Sequence, residues 1–278
     1  MWNKKAASRL AIVITDTLHP IPLHAARVQH ALLLSREAGW NQNAADWSVF
    51  FRHGTVLGFT IGDRLAATAA ALPYGDHFGW ISMVLVTAEW RRQGLAHRLV
   101  AACTSILGDR GRAALLDATP AGSGIYASLG FVPLCRMERW EGDGGGGATA
   151  SASANLALDR FAFGADRRFL LEDFLSRPGS LVFQSAHGFA ILRQGSAASH
   201  LGPIVAEPEE APTLVAQAIH AATGRILVDV LDAGSGIIPK LIAHGFQRRR
   251  CFTRMALGLT ALPGNPGQLL AAAGPEFG

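Results

Sequence analysis

The segment Val84-Leu85-Val86-Thr87-Ala88-Glu89-Trp90-Arg91-Arg92-Gln93-Gly94-Leu95-Ala96 constrains the fold of this chain more than any other. An apolar run passes through a basic turn into a helix. Leu95, Leu99, Cys103 and Ile106 share one stripe over 94–107, so that helix has a buried face. The first amides of a helix have no internal partners and point outward. The macrodipole adds partial positive charge there, and such an end holds phosphate. Gly94 has no Cβ and lets an anion approach the backbone. Ala96 leaves the next amide uncovered, and Arg91 and Arg92 add charge. The alternative is an ordinary strand, loop and helix with arginines on the surface.

Around this segment the front of the chain reads as mixed α/β. Leu23, Ala26, His30, Leu33 and Leu34 recur at helical spacing, which predicts a helix over 22–39 with Gly39 as its stop. A second short helix is expected over 46–51. Strands are expected at 55–61, 65–72 and 78–86, with Gly62-Asp63 as a hairpin turn between the first two. After the central helix come a strand at 112–117, a helix at 123–129 and a strand at 131–140. The run GDGGGGATASASAN at 142–155 has the composition of a flexible linker. It separates a front domain, 1–141, from a back domain, 156–278.

The back half repeats the order of the front. Asp117-Ala118 followed by Gly130-Phe131 is matched, at the same spacing, by Asp232-Ala233 followed by Gly245-Phe246. A β-like run precedes each, and an Ala-rich helix lies further back, the second over 213–222. The chain reads as a duplication. At 278 residues it accommodates two domains at roughly 150 residues each.

Hydrophobic residues make up 49% and charged residues 17%, enough for a core in each half and against disorder. The net charge of +4 comes from scattered arginines, apart from Arg248-Arg249-Arg250, and no basic-aromatic array suggests nucleic acid as a partner. Cys103, Cys135 and Cys251 are far apart, and the ten histidines show no ligand spacing, so neither a metal site nor a disulfide framework is expected. Met1-Trp2-Asn3-Lys4-Lys5 is not followed by an apolar run of leader length, and no stretch of about 20 apolar residues predicts a membrane span. A reducing cytoplasm fits this cysteine usage.

The loop resembles the Q/R-x-x-G-x-G/A motif of the GCN5-related N-acetyltransferases, carried here by Arg91, Gly94 and Ala96. Val84-Leu85-Val86 resembles the fourth strand of that family. Ile125-Tyr126-Ala127-Ser128-Leu129-Gly130-Phe131 resembles its Y-x-x-x-G-F signature. The chain as a whole is similar to bacterial two-domain members with a degenerate second copy. The resemblance implies tandem folds, each a mixed, mostly antiparallel twisted sheet flanked by helices, with the fourth and fifth strands splayed in the front copy.

The resemblance also implies a site. Acetyl-CoA is the expected acyl donor, with its pantetheine arm along Val84, Leu85 and Val86. Its pyrophosphate would lie on the amides of Arg92, Gln93, Gly94, Leu95 and Ala96, beside Arg91. One strand amide would polarise the thioester carbonyl. Tyr126 matches the general acid that protonates the departing thiolate; the alternative is a packed tyrosine whose hydroxyl merely finds a partner. Two features depart from the pattern: Ala88 stands where a proline is common, and Trp80-Ile81-Ser82-Met83 carries no carboxylate to act as base. A water chain, Asp76, His77 or a group from another segment is left for that task. Asp117 and Thr119 either contact the cofactor or cap the next helix.

Trp40, Asn41, Asp46 and Trp47 fall where the family covers its acceptor. Asp46 either holds an ammonium group or caps a helix, and the indoles line a wall or belong to the core. In the back half, Gly202-Pro203-Ile204-Val205-Ala206-Glu207-Pro208-Glu209-Glu210-Ala211-Pro212 stands in place of the loop, with three carboxylates and no glycine at the helix start. Leu241 stands in the place of Tyr126. That half is expected to bind no CoA and to complete the acceptor cleft or bury a sheet edge. The segment 259–278 is expected to pack across a surface. The reading is acetyl transfer to a primary amine of a small molecule by a monomer or homodimer, with a non-catalytic acyl-CoA sensor or a structural protein as alternatives.

Overall fold

Two short helices and a hairpin open the described part of the chain. The computed structural model describes residues 19–147, 150 and 153–278, so the Met1–Lys5 stretch lies outside the described residues. The first helix is shorter than its apolar spacing suggests. Ile21–Pro22 is instead a two-residue strand, β1, paired with Leu57 and Gly58, and α1 (Val28–Glu37) follows a 3-10 turn. In α2 (Ala44–His53), Asn43 and Asp46 form a reciprocal capping box, which fixes where the helix starts. β2 (Thr55–Ile61) turns at Gly62 into β3 (Arg64–Tyr74), which pairs with β4 (Phe78–Val86). α3 (Leu95–Gly108) buries Leu95, Leu99, Val100, Cys103 and Leu107 against this sheet. β5 (Ala113–Ala118), α4 (Ser123–Ser128) and β6 (Val132–Asp143) complete the front half.

The back half runs α5 (Leu156–Phe163), α6 (Arg168–Ser176), β7 (Leu181–Gln184), β8 (Gly188–Gln194), β9 (Ser199–Ala206), α7 (Ala211–Ala221), β10 (Arg225–Leu231), α8 (Ile238–Ala243), β11 (Gln247–Leu257) and β12 (Leu269–Ala271). The two halves share one 12-stranded sheet. They exchange their last long strands: β11 of the back half lies between β5 and β6, and β6 of the front half lies between β11 and β10.

The exchange carries two matched ion pairs. Arg254 on β11 lies opposite Asp117 on β5 and donates from Nε and Nη2 to its two oxygens, both at 2.9 Å. Arg139 on β6 lies opposite Asp229 on β10 and donates to it at 2.8 and 2.7 Å. The structural counterpart of Asp117 is therefore Asp229, not Asp232 as the spacing suggests. The match in Gly130-Phe131 and Gly245-Phe246 holds. Phe131 N–H donates to the Tyr126 carbonyl and Phe246 N–H to that of Leu241, which sets Leu241 in the place of Tyr126.

Two stretches differ from their expected arrangement. Gly142 and Asp143 belong to β6, and the amides of Gly144, Gly145, Gly146 and Gly147 donate to the carbonyls of Gly224, Ile219, Ala222 and His220. A Cβ on Gly144 would lie 2.3 Å from the Ala222 carbonyl oxygen, so the glycines here permit close backbone approach rather than motion. Positions 148, 149, 151 and 152 of the expected linker lie outside the described residues. The segment 259–278 ends inside the molecule: Ala271, Ala272, Ala273 and Phe277 are fully buried, and Phe277 stacks on Phe50 at 5.0 Å.

Candidate active site

β4 and β5 run parallel and pair only where Phe78, Gly79 and Trp80 face Ala113, Ala114 and Leu115. Beyond Trp80 they separate. β4 is also bulged: Ser82 and Leu85 pair with Ala70 and Thr68, so Met83 and Val84 share the single position of Ala69. Met83 takes the left-handed conformation (φ 53°), and its carbonyl accepts a hydrogen bond from Thr68 Oγ1 at 2.9 Å. Such bulges re-aim a strand beside a site. The gap opens into a cavity of about 280 Å³.

Six of the residues singled out in the sequence meet in this cavity: Trp40, Val84, Ala96, Asp117, Thr119 and Tyr126. The neighbours of Val84 fare differently. Leu85 is buried in the core, and the Val86 carbonyl is taken by Arg91 Nε at 3.1 Å. Above the cavity, Arg92 (φ 61°) and Gly94 (φ 77°) are both left-handed and turn the loop into α3, and no side chain caps that helix. A Cβ on Gly94 would meet nothing within 4 Å, so the helix start opens to solvent, flanked by the exposed Arg91 and Arg92. Gln93 and Leu95 complete the turn, with Leu95 anchored in the core. These amides and guanidinium groups fit a diphosphate.

Tyr126 is partly buried beside Gly122 and Phe131, and burial pushes its phenol up to about 12. Asp117 is not a helix cap: α4 has no side-chain cap, and both carboxylate oxygens belong to Arg254. Burial raises the Asp117 pKa despite Arg254. Its counterpart Asp229 is held well below the usual carboxylate range, because Arg139 and His200 together outweigh the same burial.

Several acceptor-side expectations are corrected by their contacts. Trp47 is fully buried and donates from Nε1 to Ser35 Oγ, so it belongs to the core. Asp46 is spent on the capping box and on Arg177, whose Nη1 lies 2.6 Å away. Asn41 bridges to Ala197 and Ala198 of the β8–β9 turn. His77 and Asp76 lie in the exposed turn before β4, at the end where β4 and β5 are paired and the cavity is absent; Asp76 pairs there with Arg112.

Sequence reasoning missed Gln42, Ser82, Arg139, Arg250, Phe252 and Glu276, which also line the cavity. Gln42 Oε1 and Ser82 Oγ are buried without a hydrogen-bond partner, two polar atoms that a ligand would satisfy. Glu276 arrives from the 259–278 segment. Its position follows from long-range packing, and no local pattern in the sequence signals it.

The back half has a corresponding gap. β9 and β10 pair in parallel only over Ser199, His200 and Leu201. Beyond that point β12 lies between them, with Leu269 and Ala271 opposite Val205 and Ile204, and Ala271 opposite Val230. A Cβ on Gly202 would lie 2.0 Å from the Ala272 carbonyl oxygen, so the chain passes in close contact. Among the described residues no group of three His, Cys, Asp or Glu is placed to hold a metal, and no helix is long and apolar enough to cross a membrane.

Two family models, each described as an acetyltransferase (GNAT) domain, match residues 49–133 and 156–271. The uncharacterized N-acetyltransferase YitH of Bacillus subtilis (strain 168) is 25% identical over 249 residues, spanning 82% of this chain and 87% of that protein. Among solved structures, a putative acetyltransferase from Pyrococcus horikoshii superposes with a TM-score of 0.80 at 17% identity, covering 94% of this chain and 96% of that one. A tandem GNAT protein from the clavulanic acid biosynthesis pathway superposes with a TM-score of 0.62 at 13% identity, covering 86% and 98%. With a matching domain in each half and this shared fold, the chain belongs to the GNAT acetyltransferases as a tandem member.

Proposed function

We propose that the front domain, 1–141, transfers an acetyl group from acetyl-CoA to a primary amine of a small molecule by direct attack within a ternary complex. One observation carries this reading: the uncapped, solvent-open start of α3 leads directly into the cavity where β4 and β5 part and Tyr126 lines the wall. Acetyl-CoA supplies the thioester whose carbonyl carbon accepts the amine. The amides of Arg92, Gln93, Gly94, Leu95 and Ala96 hold its diphosphate, with Arg91 and Arg92 adding charge. Val84 on the bulged strand lines the path of the pantetheine, and a β4 amide there polarises the thioester carbonyl. Tyr126 keeps its proton at neutral pH and delivers it to the leaving sulfur. The back domain, 156–278, binds no CoA, because β12 fills its gap, Leu241 replaces the tyrosine and Glu207, Glu209 and Glu210 stand where a phosphate would sit.

The test is thermal. Acetyl-CoA at 100 times its Kd stabilises a binding protein by about 2.7 kcal/mol, so the wild-type melting temperature rises with ligand. Gly94→Glu, which brings bulk, a negative charge and a left-handed φ unsuited to it, abolishes that rise. Unchanged affinity in this variant counts decisively against the site.

A further inference from the structure

Direct attack needs a group that takes a proton from the amine, and β4 offers none. Ser82 is the only polar side chain of Trp80, Ile81, Ser82 and Met83 on the cavity wall, and a hydroxyl is too weak a base. Asp46 gives its two oxygens to Arg177 and the Asn43 amide, Asp117 gives both of its oxygens to Arg254 at 2.9 Å, and Asp76 and His77 lie at the wrong end of the strand. The one carboxylate left on the cavity wall is Glu276.

Three contacts hold its segment in place. Trp80 Nε1 donates to the Pro275 carbonyl (3.0 Å), Tyr74 Oη to that of Phe277 (2.8 Å) and Arg167 Nη1 to that of Gly278 (2.6 Å). Five residues upstream, β12 is fixed in the β9–β10 gap. The same segment thus fills the gap of the back half and reaches the cavity of the front half.

We propose that Glu276 is the base that accepts the proton of the attacking amine, and that the back domain holds it there through Arg193, His200 and Asp229, with Arg139 of the front domain closing the network. As the amine lone pair forms the C–N bond, one N–H proton passes to the Glu276 carboxylate. The C–S bond breaks with its electron pair on sulfur, and the Tyr126 proton completes the thiol. Glu276 and Tyr126 then exchange protons with solvent and return to their starting forms.

The holding network is continuous. Arg193 Nη2 donates to Glu276 Oε1 at 3.3 Å, and Nη1 donates to His200 Nδ1 at 2.6 Å. That leaves the ring hydrogen on Nε2, which donates to Asp229 Oδ2 at 2.9 Å; Asp229 in turn is gripped by Arg139. Arg193, His200, Asp229 and Glu276 are buried, and Arg139 is partly buried. The groups facing Glu276 are Arg193 of β8, Asp46 of α2 and Arg139 of β6, with His200 of β9 and Asp229 of β10 behind them. Burial raises the Glu276 carboxyl, Asp46 raises it further, and the two arginines only partly offset this, leaving it at about 7. A carboxyl raised in this direction is a stronger base than an ordinary carboxylate, which favours general-base catalysis near neutral pH. Aromatic walls at Trp40 and Phe252 favour an amine with an apolar body.

This inference rests on the acetyl-transfer reading above. The full chain is assayed for thioester consumption with acetyl-CoA and benzylamine, phenethylamine and hexylamine between pH 5.5 and 9. The substrates are largely ammonium ions in this range, so the rate is expressed per concentration of free, unprotonated amine; the expected wild-type value then rises about tenfold per pH unit and levels off above pH 7. Glu276→Gln lowers the plateau about 100-fold and removes the rise, while the acetyl-CoA-dependent melting shift stays. Glu276→Asp shows a rise whose midpoint is moved, at a reduced rate, whereas a purely structural role leaves the midpoint where it was. Should Glu276→Gln fail to fold, the Glu276→Asp profile decides: a shifted midpoint supports the base, and an unchanged profile overturns it. A wild-type rate and profile in Glu276→Gln overturns it too, as does acetyl-CoA binding with no acetylation of any of these amines. Loss of acetyl-CoA binding by the wild type instead removes the underlying reading.

Discussion

The Tyr126 ring packs within reach of Gly122, where a Cβ would lie 3.1 Å from Cε2, and its edge meets Phe131 at 6.3 Å. These contacts orient the phenol without consuming its proton. Tyr126→Phe keeps the ring and removes the proton. The expected result is a fall in kcat of about 100-fold with acetyl-CoA affinity nearly intact; an unchanged kcat ends the acid role. Because the phenol titrates only near 12, the rate at pH 9 to 10 shows no falling limb from this group. Tyr126 and Gly94 were legible because each sits in a local pattern whose geometry follows from a few neighbouring residues. Asp46 and Trp47 were not decidable, since a capping aspartate and a binding aspartate are the same residue until the partner is seen. That partner, Arg177, is 131 positions away.

At the scale of elements, strand bounds such as Thr55–Ile61 and Phe78–Val86 were readable because turn residues bracket apolar runs. The glycine run after β6 was misread for a physical reason. Glycine serves mobility and close approach alike, and the sequence does not reveal that the end of α7 lies beneath. Gly144→Ala distinguishes the two roles. A Cβ 2.3 Å from the Ala222 carbonyl oxygen forces a backbone shift, and crowding of this kind costs about 1–3 kcal/mol. Denaturant unfolding is expected to show that loss, whereas a free spacer would leave the midpoint where it was. The 259–278 segment escaped detection similarly: its one short strand carries no alternation, and its carboxylate gains meaning only from a cavity built by other strands.

For the molecule as a whole, the exchange of β6 and β11 makes each half structurally incomplete. A fragment covering 19–147 lacks the strand that pairs both β5 and β6, and Asp117 loses Arg254. Leaving one partner of a buried ion pair alone costs about 3–5 kcal/mol, in addition to the lost ladder. Such a fragment is expected to show no cooperative unfolding and no acetyl-CoA-dependent melting shift. Mixed with a fragment covering 150–278, it is expected to recover both, as read by calorimetry and size-exclusion chromatography. A front fragment that folds and binds acetyl-CoA alone defeats this view. The duplication was legible from Gly130-Phe131 and Gly245-Phe246, but the interleaving was not, because it depends on which partner each strand chooses. The interleaving also sets a timetable for biosynthesis. Until Gln247–Leu257 has left the ribosome, two strand edges face an empty slot. The nascent chain is therefore most exposed to aggregation late in translation, when chaperone protection matters most.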